Sequence, residues 1–152
     1  MSILALLLLA QAAAPLPGPK PDCFVRETSG GVLALRYIGD RACVDFDPAK
    51  TMTGVWINGF EGSSFHEGAS GLADIKGQPL DVWLTLDEAS VTPAGFPKGW
   101  TMPPHAYRLT FVGKRAKDMQ RPPLSGYGHF GGSPGLVLVD TVTAWQDLGP
   151  VR

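Results

Sequence analysis

Hydrophobic and polar residues alternate along three short stretches of the chain, a pattern typical of strands with one buried face. The stretches are 53–60, 80–86 and 106–114. A fourth stretch, 136–139, is continuously apolar, which indicates a strand covered on both faces, and Asp140 interrupts it where a β-bulge is expected. Near the N-terminus, Gly39-Asp40-Arg41 predicts a turn that joins strands at 32–38 and 43–46 into a hairpin.

No stretch has a sustained helical period, and only 72–75 and 114–121 predict short helical turns. The 19 glycines and 14 prolines indicate many turns. About six strands at this spacing predict an all-β protein, a small five- to six-stranded OB-like barrel or sandwich with an N-terminal disulfide-linked hairpin. We expect the hairpin to supply or extend the first part of the barrel. The long loop 87–104 carries Phe96, Trp100 and Met102, which we expect to fold back over the core.

The first residues predict export. Residues 3–9 are almost purely Ile, Leu and Ala, and Ala10-Gln11-Ala12 supplies the small residues that signal peptidase requires. We expect cleavage after Ala12, rather than after Ala14, where Pro15 would follow directly. The alternative is a membrane anchor, but the prolines limit the apolar stretch to about 14 residues, fewer than the roughly 20 that span a bilayer. The predicted organisation is therefore a signal peptide (1–12), a proline-rich leader (13–22) and a single β-barrel domain (23–149), in a periplasmic or secreted protein.

Net charge limits the classes of binding partner, and the cysteines and histidines indicate which covalent or metal sites to expect. The net charge of −1 and pI of about 6.3 provide no basic footprint for nucleic acid or an anionic membrane surface. The two cysteines, Cys23 and Cys43, predict a disulfide in an exported chain, with two free thiols or a metal pair as alternatives. The three histidines lack zinc-ligand spacing, so neither a metal nor a cofactor is predicted.

Two glycine-rich turns carry the side chains that are most suited to acid-base chemistry or ligand binding. The first follows the strand at 53–60 and carries Glu61, and the second is G-Y-G-H-F-G-G with Tyr127 and His129. We expect Glu61 to contact His129, either as an acid-base pair lining a pocket or as a polar latch that holds the loop on the barrel. The chain contains no G-x-S-x-G, no P-loop and no dinucleotide-binding loop before a helix.

Aromatic residues form a further candidate surface. Trp56, Phe60 and Trp83 fall on the polar side of the strand alternation. If that side is open, the rings are able to stack on a sugar or an apolar ligand. The alternative is that the loop 87–104 covers them.

The stretch W-I-N-G-F-E-G-S-S-F at 56–65, with G-Y-G-H-F-G-G at 126–132 and an apolar strand ending in Asp140, resembles a pattern in small exported bacterial proteins of unknown function. The resemblance covers roughly 53–145 and leaves out the cysteine hairpin. It implies that the two turns form one recurring unit and that the setting is a bacterial envelope. It implies no activity, substrate or catalytic residue.

The leading hypothesis is a non-enzymatic periplasmic binding or structural module, whose ligand is a cell-wall glycan, a small molecule or another envelope protein. One alternative is a small hydrolase-like enzyme using Glu61 and His129, with Tyr127 or Ser64 nearby. Another is a glycan-binding surface using Trp56 and Trp83. No nucleic-acid partner is expected, nor a stable membrane span after signal cleavage. The predicted binding residues are Trp56, Phe60, Glu61, Trp83, Tyr127 and His129.

Overall fold

The structure, a computed structural model, describes residues 23–30, 32–79 and 82–151. The predicted signal peptide and proline-rich leader lie outside the described residues. The chain divides into two compact units, with the boundary between Ile38 and Gly39. None of the helices in the described part has the length and apolar content needed to cross a membrane.

The first unit contains a β-hairpin of strands β1 (Phe24–Ser29) and β2 (Val32–Tyr37). Ser29 pairs with Val32, and Gly30 between the strands has a positive φ of 58°, which suits a hairpin turn. The predicted pairing of 32–38 with 43–46 is therefore wrong. Strand β2 pairs with β1, and Asp40–Cys43 forms one helical turn instead of leading into a strand.

The predicted disulfide links residues on either side of the unit boundary. Cys23 is buried and Cys43 is half-buried. No disulfide bond between them is present in the structure. The bridge is not confirmed and stays a prediction.

The second unit contains a closed five-stranded barrel. Its strands are β3 (Lys50–Gly59), β4 (Gly62–Glu67), β5 (Val82–Thr85), β6 (His105–Arg115) and β7 (Gly135–Pro150). Their order around the barrel is β3-β4-β5-β7-β6, with β5 and β7 parallel and the other pairs antiparallel. This confirms the predicted all-β, OB-like barrel. The N-terminal hairpin forms its own sheet and contributes no described strand to the barrel, contrary to expectation.

The barrel interior is filled by the inward residues of the alternating strands. Its buried residues are Met52, Trp56, Phe65, Leu84, Phe96, Tyr107, Leu109, Phe111, Val137, Val139 and Val142. The alternation in 80–86 and 106–114 predicts Leu80, Val82, Leu84 and Leu86, and Tyr107, Leu109 and Phe111, as inward residues; all are confirmed except Leu80, which lies outside the described residues. The continuous apolar run on β7 is also explained, because Leu136 packs in a separate outer cluster while Val137 and Val139 point inward.

Two outer clusters cover the barrel on other faces. One includes Val55 and Ala106 beneath the predicted helical turn Leu72–Ile75, which is confirmed as a 3-10 helix. The other contains Val44, Ala116, Tyr127 and Leu136, with Trp83 packed against it. The second predicted helical turn is absent from 114–121, where β6 runs to Arg115 and irregular chain follows.

Strand β4 occupies a stretch predicted as a loop, and β7 carries the predicted bulge. The sequence pattern favours a long loop from Gly62, but 62–67 is a strand, and only Phe60 and Glu61 form the turn. Glu61 adopts a φ of 55° there. His66, expected in a polar turn, is buried opposite Val55. The predicted bulge at Asp140 is confirmed, because neighbouring β6 residues pair with Val139 and Thr141 and pass over it.

Candidate functional site

An open cavity of about 320 Å³ lies where β4 and β5 meet. Among the described residues, Ser64 pairs with Trp83 across these two strands, and Ser63 Oγ donates to the Leu84 carbonyl over 2.6 Å. The lining residues are Ile57, Gly59, Phe60, Glu61, Gly62, Ser63, Ser64, Trp83, Pro104, His129 and Ser133. Four of the six predicted binding residues, Phe60, Glu61, Trp83 and His129, are therefore brought together.

The loop between β6 and β7 carries His129 to the cavity. Gly128 precedes it with φ 70° and ψ −155°, a conformation that is essentially restricted to glycine. A Cβ atom at Gly128 would lie 2.2 Å from two ring atoms of Trp83, so only a glycine lets the loop approach this ring. The glycines flanking His129 thus do what the sequence pattern indicates: they set an unusual backbone path.

Glu61 and His129 lie side by side at the cavity. Glu61 Oε2 is 3.4 Å from His129 Nε2, which confirms the predicted contact. The two side chains are 46% and 35% exposed, so the pair is partly open to solvent. Nε2 itself is shielded and makes no hydrogen bond to any described residue. The pair therefore offers the Glu61 carboxylate to a ligand, with the shielded imidazole nitrogen behind it.

Tyr127 does not reach the cavity. It is 4% exposed, and its hydroxyl donates a hydrogen bond to the Asp118 carbonyl over 2.9 Å. The Arg121 guanidinium lies 4.3 Å from the centre of its ring. Burial raises the pKa of the Tyr127 hydroxyl. The residue anchors the β6–β7 loop and is not placed to react with a molecule in the cavity.

Trp56 lies inside the barrel, 3% exposed. Its Nε1 donates to Ser63 Oγ over 2.9 Å, and its ring stacks on Phe96 with centroids 5.9 Å apart. Trp83 is on the outer side, so the prediction that the two tryptophans share one face is wrong. The alternative, cover by the loop 87–104, holds for Trp56, which stacks on Phe96. On β3 the alternation is present, but Trp56 faces the interior of the barrel and Val55 faces outward.

Phe60 and Trp100 form an exposed pair of rings, here called the aromatic ledge. They are 55% and 71% exposed and meet edge to face with centroids 5.5 Å apart. Asn58, buried at the end of β3, donates from Nδ2 to the Gly99 carbonyl over 2.7 Å. Thr101 Oγ1 donates to the Asn58 carbonyl, also over 2.7 Å. These bonds hold the chain around Trp100 beside the β3–β4 turn.

The loop 87–104 is thus only partly the expected cover. Phe96 is buried in the core, but Trp100 and Met102 are 71% and 81% exposed. The sequence pattern does not identify Trp100 as a surface residue near the cavity. The residue that could have indicated this position is Asn58, because a buried amide on β3 needs a hydrogen-bond partner from another segment.

The electrostatics of the cavity are simple. Among the described lining residues, Glu61 is the one carboxylate and His129 the one imidazole, and there is no lysine or arginine. In the described part of the chain, no group of three or more His, Cys, Asp or Glu side chains is placed to hold a metal ion. The arrangement is suited to hydrogen bonding and ring contacts with a neutral molecule.

No protein-family model, curated protein sequence or solved structure matches the chain at a significant level.

Proposed function

We propose that the protein is a non-enzymatic binding module that takes a neutral small molecule or glycan fragment in the cavity between β4 and β5. The observation that carries the proposal is the position of this cavity on the barrel. It is bordered by the first turn of the barrel, by its second and third strands and by the loop between its last two strands. OB-like barrels bind ligands on this face and with these loops. That argument is an analogy of fold, so the chemistry of the lining residues must support it independently.

The lining residues combine apolar walls with a few polar groups, the usual composition of a ligand site. Ile57, Trp83 and Pro104 supply apolar surface, and Glu61 and His129 supply hydrogen-bonding groups. The lack of a described lysine or arginine disfavours phosphates and nucleic acids, whose binding depends on cationic side chains. The residues favour an uncharged ligand that has both an apolar face and hydroxyl groups.

The hydrolase-like alternative has weaker support. Tyr127, one of its candidate partner groups, is buried and engaged with a backbone carbonyl. Ser64, the other candidate, lines the cavity but is 6% exposed on β4. Glu61 is placed to orient His129 as a base, but neither candidate hydroxyl is an exposed nucleophile.

Export to the periplasm or outside the cell is part of the proposal. It depends on the signal-like residues 1–12 and the pair Cys23 and Cys43. Mass measurement of the mature protein, alkylated with and without prior reduction, tests both features. Cleavage after Ala12 and a mass that requires reduction before two alkyl groups are added would support export and the disulfide.

The binding proposal is tested by a ligand screen with a variant that fills the cavity. Gly62 lines the cavity, and a Cβ atom there would meet nothing closer than the Phe60 carbonyl at 3.7 Å. Gly62→Leu therefore adds volume without a backbone clash. Gly71→Leu is the matched control, because a Cβ at Gly71 has no neighbour within 4 Å and Gly71 is not among the lining residues.

Neutral fragments are screened by saturation-transfer NMR and thermal unfolding. A fragment at 100 times its Kd stabilises the native state by about 2.7 kcal/mol, or roughly 5–10 °C for a protein of this size. We expect hits that bind the wild type and Gly71→Leu but not folded Gly62→Leu. A screen without hits, or hits that Gly62→Leu binds equally well, would refute binding in this cavity.

A further inference from the structure

We infer that the ligand is a neutral oligosaccharide, with one sugar ring in the cavity against Trp83 and a neighbouring ring on the aromatic ledge of Phe60 and Trp100. This inference rests on the proposed function and adds to it the ligand class and a second subsite. Three observations carry it: the continuity of the two aromatic surfaces, the exposure of the ledge, and the polar groups set between them.

The cavity and the ledge form one continuous surface. Phe60 belongs to both, since it lines the cavity and contacts the Trp100 ring. A molecule that extends from the cavity over Phe60 therefore meets Trp100 next. A small ligand bound in the cavity would not reach the Trp100 ring, whereas a chain of linked sugar rings would contact both Phe60 and Trp100.

The ledge is exposed but not loosely arranged. Trp100 keeps 71% of its surface exposed, so it contributes little to the core. Its position is nevertheless held on both sides, by the Asn58 bond to Gly99 and the Thr101 bond to Asn58. Two large rings fixed in an open, edge-to-face pair form a rigid platform, and such rigidity lowers the entropy cost of binding.

The polar groups match the edges of a sugar. A pyranose ring has a C–H face that stacks on aromatic rings and hydroxyl groups around its edge. The Glu61 carboxylate accepts hydrogen bonds from hydroxyl groups, and such charge-assisted bonds are stronger than neutral ones. His129 Nε2 is shielded and lies 3.4 Å from Glu61 Oε2. The Glu61 carboxylate is therefore the group of this pair that meets a sugar hydroxyl.

The charge of the site selects among sugars. Glu61 repels carboxylate and sulfate groups, and the described lining residues include no lysine or arginine to compensate. We therefore expect uncharged sugars to bind and acidic ones not to.

The test uses isothermal titration calorimetry with chitotetraose and cellotetraose, their monosaccharides and tetragalacturonate as the acidic probe. We expect at least one neutral tetramer to bind about tenfold more tightly than its monosaccharide, and tetragalacturonate not to bind. Trp100→Ala should remove most of that chain-length gain and leave monosaccharide affinity unchanged, as loss of one stacking contact predicts. Trp100→Tyr, which keeps an aromatic ring, should retain much of the gain. Val91→Ala removes an exposed apolar side chain that does not line the cavity and serves as the control.

The outcomes separate this inference from the proposed function. If neither neutral tetramer binds while neutral fragments from the screen occupy the cavity, the oligosaccharide inference is refuted and the binding proposal stands. Equal affinities for tetramer and monosaccharide, or a tetramer affinity that Trp100→Ala leaves unchanged, would refute the second subsite. Absence of any binding in both experiments would overturn the proposed function itself.

Discussion

The contact between Glu61 and His129 allows the latch and ligand-binding interpretations to be separated by a double-mutant cycle. Glu61→Gln and His129→Gln, alone and combined, remove the charges while keeping side chains of similar size. In the latch interpretation, each variant loses stability and the double variant loses no more than one of them. In the ligand-binding interpretation, stability changes little and affinity for the ligand falls.

The distance and exposure of Glu61 and His129 determine the expected coupling energy. The two atoms are 3.4 Å apart, but the side chains are 46% and 35% exposed, and no hydrogen bond joins them. Exposed ion pairs are worth about 0.2–1 kcal/mol, and the imidazole must be protonated to contribute even that. We expect a coupling energy of no more than about 0.5 kcal/mol at pH 7. Loss of a charge-assisted hydrogen bond to a ligand costs about 1.5–3 kcal/mol, which corresponds to roughly a tenfold to hundredfold loss of affinity.

The assay is urea unfolding of all four proteins, followed by titration of each with a ligand identified in the screen. A coupling energy above about 1.5 kcal/mol would contradict the argument, because an exposed pair cannot supply it, and would establish a structural latch. Loss of a measurable turnover with stability unchanged would instead restore the enzyme interpretation. His105→Gln is a suitable control, since His105 lies 3.6 Å from Asp147 in a comparable pair and does not line the cavity.

Two further predictions concern the stability of the fold around Gly128 and around Arg41. Gly128→Ala should cost about 3 kcal/mol, because the added Cβ meets the Trp83 ring and the backbone conformation is strained for alanine. Gly77→Ala, with φ 76° but open space, should cost only about 1 kcal/mol in the same urea unfolding assay, and equal losses would contradict the ring clash. Arg41→Ala removes hydrogen bonds to Asp87 of 2.7 and 3.0 Å and to Asp140 of 2.5 Å and, because these groups are partly exposed, should cost about 2 kcal/mol at pH 7. The Arg41 hydrogen bond lowers the pKa of Asp87 below its ordinary 3.8, so this difference should be full above that pH and shrink as the pH falls through the lowered value. A difference that stays constant down to pH 2 would contradict this assignment.

Strands whose two faces differ in polarity were predictable from the sequence, and β4 was not. On β5 and β6 the alternation reports burial directly, because one side chain in two points into the barrel. Strand β4 contains Ser63, Ser64 and His66, which resemble a polar turn. In the fold, Ser63 donates to the Leu84 carbonyl, 21 residues away on β5, and accepts from Trp56 Nε1 on the adjacent strand β3. A polar strand of this kind is determined by long-range hydrogen bonds that no local pattern records.

The candidate site also has a part that the sequence predicts and a part that it does not. The contact of Glu61 with His129 was predictable because glycine-rich turns both fix and expose the side chains they carry. The ledge was not, because Trp100 reaches Phe60 through the hydrogen bonds of Asn58, formed between segments about 40 residues apart. Trp56, a candidate surface residue in the sequence analysis, lies in the barrel interior for a related reason. Alternation assigns a side chain to a face, but closure of the sheet into a barrel decides which face is inside.

The β6–β7 loop provides a physical reason for the cavity. The loop packs on the barrel through Tyr127, which is buried in an outer cluster, and through Gly128, which lies against the Trp83 ring. The loop is irregular and does not continue the sheet, so it leaves space between itself and the strands, and His129 and Glu61 border that space. A side chain at Gly128 would push the loop away from the Trp83 ring, so this glycine is what allows His129 to border the cavity.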